Sequence, residues 1–104
     1  MEKKIIIVIL LMLLLPINAF SQDKHSYKPE AGYVPDEKTA IKIAEAVWLP
    51  IYGEKIYNEK PFKASLKDGV WMVTGSLPEG YRGGVAIAEI FKEDGRVLRV
   101  IHGK

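Results

Sequence analysis

At Pro61 the apolar residues change their spacing, and that change limits the fold more than any single motif does. Before it, Ala40, Ala44, Val47, Trp48 and Ile51 recur at helical intervals, while Lys38, Lys42 and Glu45 face away. Ile41 and Ile43 widen the apolar stripe. After it, Phe62, Ala64 and Leu66 alternate with Lys63, Ser65 and Lys67, the period of a strand with one wet face. Pro35-Asp36 starts the helix, with Asp36 as N-cap and Glu37 in the first turn, where a negative charge is favoured. Pro50 is expected to bend or end the helix and Gly53 to close it. Residues 54–60 add at most a short turn around Ile56 and Tyr57.

Four strands follow. Asp68-Gly69 is a two-residue hairpin signal between residues 62–67 and 70–77. Residues 78–84 read as a flexible loop, 85–92 as the third strand, Glu93-Asp94-Gly95 as a three-residue turn, and 96–102 as the fourth strand. The predicted fold class is α+β: an N-terminal helix packed on a four-stranded antiparallel meander.

The hairpins set the faces. A two-residue turn places Leu66 opposite Trp71 and Ala64 opposite Val73. A three-residue loop ending in a left-handed Gly95 pairs Ile90 with Leu98, Ala88 with Val100 and Glu89 with Arg99, matching apolar with apolar and acid with base. One face then carries Phe62, Leu66, Trp71, Val73, Ala86, Ala88, Ile90, Leu98 and Val100, with alanines leaving room for the helix. The other carries Val70, Met72, Thr74, Val85, Ile87, Glu89, Phe91, Val97, Arg99 and Ile101. That row is too apolar to be merely wetted, so a second body is expected against it: the leader, another copy, or a different protein. Of these ten, all but Thr74 are the expected partner-binding residues.

Residues 1–21 have the three parts of a secretory signal. Lys3 and Lys4 precede the apolar run Ile5 to Leu15, and Ala19 and Ser21 are small residues placed for cleavage before Gln22. The run is shorter than the ~20 residues a spanning helix needs. A periplasmic or secreted protein is expected, free of the membrane after cleavage, with residues 22–34 as an extended leader and 35–104 as one domain. Tyr27, Tyr33 and Val34 are the leader residues able to dock on it.

The whole chain has 15 Lys and Arg against 13 Asp and Glu, and the signal removes two lysines and one glutamate, leaving 13 against 12. The signs are interspersed, which argues against nucleic acid as a partner. A domain this small has a thin core, yet there is no cysteine to staple it, to act as a thiol or to hold zinc. Neither a metal nor a cofactor is expected. Trp48 and Trp71 fall at core positions. His102, at a strand end, reads as structural, since acid–base work would need a partner such as Glu45 or Tyr52 beside it. Gly83-Gly84 is not followed by a helix or a Lys-Ser/Thr pair, so it is no phosphate loop. No catalytic residue set is visible, and the chain is not expected to be an enzyme.

The stretch from Thr39 to Gly53, with Pro61-Phe62, Asp68 to Gly75, Gly83 to Ala86 and the ending Val100 to Lys104, resembles a bacterial immunity-protein family with a nuclear transport factor 2-like fold, also called YbbC/YhhH-like. The resemblance runs from about Tyr33 onward. It implies a cystatin-like roll, a helix cradled by a curved sheet, and protection from a polymorphic toxin by binding. The expected function is therefore an exported immunity protein that occludes its toxin. The alternatives are a small peptidase-inhibitor module, a homodimer closed through the same apolar face, and an isomerase or hydrolase built around a cavity.

Overall fold

A computed structural model describes residues 26–103; the expected signal segment and residues 22–25 lie outside them. Helix α1 spans Glu37–Tyr52, a 3-10 helix spans Glu54–Glu59, and four strands follow: β1 Lys63–Lys67, β2 Val70–Thr74, β3 Ala86–Phe91 and β4 Val97–His102. The strands form one antiparallel sheet in the order β1-β2-β3-β4. This is the predicted α+β meander, and α1 packs on one side of it.

Local chemistry fixes the helix ends. The Asp36 carboxylate accepts from the Thr39 N–H at 2.8 Å, capping a backbone donor that has no partner inside the helix. At the other end Gly53 adopts a positive φ of 77°, and its N–H donates to the Leu49 carbonyl. The helix runs through Pro50 and closes at Gly53, where the sequence places its end. The ring deprives only the Ala46 carbonyl of its helical donor, and Ala46 is exposed, so water serves it.

The buried line on α1 is Ala40, Ala44 and Trp48, facing Trp71, Val73, Ala86, Ala88 and Ile90. The small side chains at 40, 44, 86 and 88 let helix and sheet approach, and Trp48 fills the end of the layer edge-on to Phe62, with ring centroids 5.2 Å apart. Ile51 keeps the right helical angle but is 56% exposed, because nothing among the described residues covers that side of the last turn. Leu66, beside the hairpin tip, is also exposed.

The first hairpin has the predicted register, with Leu66 opposite Trp71 and positive φ at both Asp68 and Gly69. The second keeps Ala88 opposite Val100 and Glu89 opposite Arg99 as predicted and departs only at its tip. Phe91 bonds to Arg96 across a four-residue loop, Ile90 pairs with Val97, and the register then shifts before Glu89 meets Arg99. Leu98 is the extra, bulged residue and is 46% exposed. The loop is longer than expected because the Lys92 backbone is already engaged: its N–H donates to Gly69 O and its carbonyl accepts from Val34 N. Sequence pairing rules see only the two strands of a hairpin, so a third segment competing for Lys92 was invisible to them.

That third segment is the end of residues 22–34, the stretch expected to be a leader. Val34 is fully buried, its carbonyl accepting from Trp71 Nε1 at 2.8 Å, while Tyr33 N–H donates to Glu93 O. Val34 thus docks, as the sequence allowed, and Tyr27 stays exposed.

Candidate functional site

The face of the sheet turned away from α1 carries most of the residues expected there. Register sets Val70 opposite Phe91, Met72 opposite Glu89, Ile87 opposite Ile101 and Glu89 opposite Arg99, so these side chains share one surface. Met72 and Ile101 are exposed, and Val70, Ile87 and Phe91 are half-buried by one another. Among the described residues no helix or strand packs over them. Arg99 and Glu89 form an ion pair at 3.3 Å in the middle of the row. Lys63 and Lys67 alternate onto the same face from β1, through their pairing with Thr74 and Val70. A shallow depression of about 310 Å³ lies between Ser65, Lys67, Val70, Met72 and Glu89.

Two expected members sit differently. Val97 pairs with the helix-facing Ile90, because the bulge at Leu98 changes the phase of the start of β4. Val85 lies just before β3, where its carbonyl accepts from Gly103 N.

A second constellation lies at the far end of the helix–sheet layer. His102 Nε2 is 2.8 Å from Glu59 Oε2, and His102 Nδ1 is 2.7 Å from the Gly103 carbonyl. Both neighbours are acceptors, and only the imidazolium can donate to both. The His102 pKa is accordingly raised, chiefly by the Glu59 hydrogen bond and next by the Gly103 carbonyl. Glu59 Oε1 in turn accepts from Ala86 N at 2.8 Å. Of the two partners sequence suggested for His102, Tyr52 does lie beside it, ring centroids 5.2 Å apart, whereas Glu45 faces Lys60 instead. Glu59 was missed because it sits in a 3-10 segment with no periodicity to read; the one signal was an acidic residue followed by Lys60-Pro61.

These groups border a cleft of about 290 Å³ between the end of α1, the 3-10 helix and the loop before β3. Among the described residues no cluster of three metal-ligating side chains occurs, and no helix is long and apolar enough to cross a membrane.

Residues 39–104 match the family model described as NTF2 fold immunity protein. The chain is 40% identical over 84 residues to the uncharacterized protein YbbC of Escherichia coli (strain K12), covering 79% of this chain and 66% of that one. It is 34% identical over 85 residues to the uncharacterized protein YhhH of the same organism, covering 75% and 67% respectively. The chain thus spans about two thirds of the length of each relative. No solved structure matches it significantly.

Proposed function

The chain belongs to the NTF2 fold immunity protein family, and from that membership we propose that it is exported and neutralises a toxin by covering part of it. The contact surface in this reading is the open sheet face, with Val70, Met72, Ile87, Phe91 and Ile101 as the apolar centre. Glu89 and Arg99 set orientation, since paired charges at an interface select register and partner more than they add affinity. Val85 borders this surface. The observation that carries the reading is the one-sided sheet: α1 roofs one face, and the apolar row on the other lies open among the described residues. Lys63 and Lys67 at the rim favour a partner with acidic groups around its own contact patch.

Binding is favoured over catalysis by the state of the one histidine beside a cleft. Both His102 ring nitrogens are already hydrogen-bonded within the chain, Nε2 to Glu59 and Nδ1 to the Gly103 carbonyl, so neither is free to meet a substrate. Export rests on the charged start, the apolar run Ile5 to Leu15 and the small residues at 19 and 21, and it places the encounter with the toxin in the periplasm or outside the cell.

The test is co-expression with a toxin-like reading frame adjacent to the gene. The wild-type chain is expected to restore growth, and Met72→Asp and Ile87→Asp to lose that protection while melting near the wild-type temperature. Full protection by both variants would remove this face from the reading. A peptidase encoded in that position, inhibited by the chain, would instead favour the inhibitor alternative. A doubled mass in light scattering that Ile87→Asp abolishes would assign the face to self-association.

A further inference from the structure

The cleft beside His102 lies apart from the sheet face, and its chemistry is independent of any toxin contact there. Its walls come from four places in the chain: Tyr52 from α1, Lys55 from the 3-10 helix, Leu77, Tyr81 and Arg82 from the loop before β3, and His102 from β4. Its volume of about 290 Å³ suits a group the size of one or two residues.

The charges in the cleft are not balanced. Glu59 also borders it, but its carboxylate is spent, one oxygen on Ala86 N and the other on His102. Neither Lys55 nor Arg82 has a carboxylate within 4.0 Å among the described residues. Lys55 is near enough to His102 to oppose its protonation. Two cations lining one cleft beside aromatic and aliphatic walls form a site for an anion with an apolar body, because the ligand charge relieves their repulsion while its apolar part packs on the walls. The Glu59–His102 bond braces the floor by tying the 3-10 helix to β4, so the walls are set before a ligand arrives.

We propose that this cleft binds a carboxylate carried on an apolar group, with Lys55 and Arg82 taking the charge and Tyr52, Leu77 and Tyr81 the apolar part. Two sources present that chemistry: a free small acid, and the C-terminal residue of a peptide chain.

The experiment is amide-resolved NMR titration of the purified, processed chain with 3-phenylpropionate, with acetyl-Ala-Ala-Phe bearing a free carboxylate, and with the same peptide amidated. Both carboxylates are expected to give saturable shifts at Lys55, Gly84 and His102, and the amidated peptide none. Tighter binding of the peptide acid identifies a chain terminus as the ligand, and equal or tighter binding of 3-phenylpropionate a small acid. The exposed pair Lys55→Ala with Arg82→Ala should weaken binding about tenfold or more, with melting unchanged, whereas Ile87→Asp should not weaken it. Equal shifts from the amidated peptide, no saturable shift from either carboxylate, or undiminished affinity in the double variant would overturn the proposal.

Discussion

Glu59 and His102 stand 43 residues apart in sequence and meet at 2.8 Å, and through them the 3-10 helix is tied to three strands. The Glu59 carboxylate reaches β4 through His102 and the start of β3 through Ala86 N. Its backbone carbonyl accepts from Ser76 N just after β2. The Ser76 hydroxyl closes the same corner by donating to the Pro61 carbonyl at 2.6 Å. One acidic residue therefore anchors the 3-10 helix that flanks the cleft. In a chain without disulfides, such a polar anchor does part of the stapling.

Stability should fall as pH rises through the titration of His102. Its folded pKa lies above the ordinary 6.5, first because of Glu59 and then because of the Gly103 carbonyl, with partial burial and Lys55 opposing. A raised histidine contributes stability that is fully present below about pH 6.5 and is lost as pH climbs past the folded value. Thermal melting should accordingly be lower at about pH 8.5 than at about pH 6. Glu59→Gln and His102→Gln should each flatten that difference. Equal pH slopes in wild type and both variants would show that the pair carries no linked proton.

Gly75 is small because Glu59 occupies the space a side chain would need. A Cβ at residue 75 would lie 2.8 Å from Glu59 Cβ and closer still to its carboxylate. Gly75→Ala should therefore cost about 1–3 kcal/mol, as overpacking does. Denaturant unfolding measures the loss. Because Glu59 must swing away to admit the methyl, the same variant should also lose the pH slope assigned to His102. A variant as stable as wild type, with the slope intact, would mean that Glu59 has room to spare.

Gly75 and His102 owe their surroundings to contacts that no local pattern encodes. The helix, the four strands, both caps of α1 and the first hairpin register, by contrast, arise from periods and turn residues that act over a few positions. Ala86, Ala88 and Ile90 face the helix because a period of two leaves them no other face. The bulge at Leu98 comes from a rival for the Lys92 backbone, and that rival, Val34, is 58 positions earlier in the chain. Glu59 finds His102 and Ala86 only after the sheet has closed. Contacts of that range leave no periodic trace, so the open sheet face was legible as a row while the distant residues that close the cleft were not. The resemblance to the immunity family was legible too, since it rests on short motifs spread along the chain.

The docked end of the leader should prove part of the folding unit. Trp71 Nε1–H donates to the Val34 carbonyl at 2.8 Å in a buried setting, and Val34 N–H donates to Lys92 O. Gly32 makes the approach possible: its φ is +87°, and a Cβ there would sit 2.6 Å from the Lys92 carbonyl oxygen, which is backbone and cannot step aside. Trp71→Phe strands a buried carbonyl and leaves a void, so a loss of about 1–3 kcal/mol is expected from the hydrogen bond alone. Gly32→Ala attacks the same junction by sterics and leaves every core side chain in place. Both should speed hydrogen exchange at the Val34 amide relative to the Ala44 amide in the helix. Were Gly32→Ala to unfold at the wild-type denaturant midpoint with Val34 still protected, residues 29–34 would be a passenger on the domain and not a piece of its core.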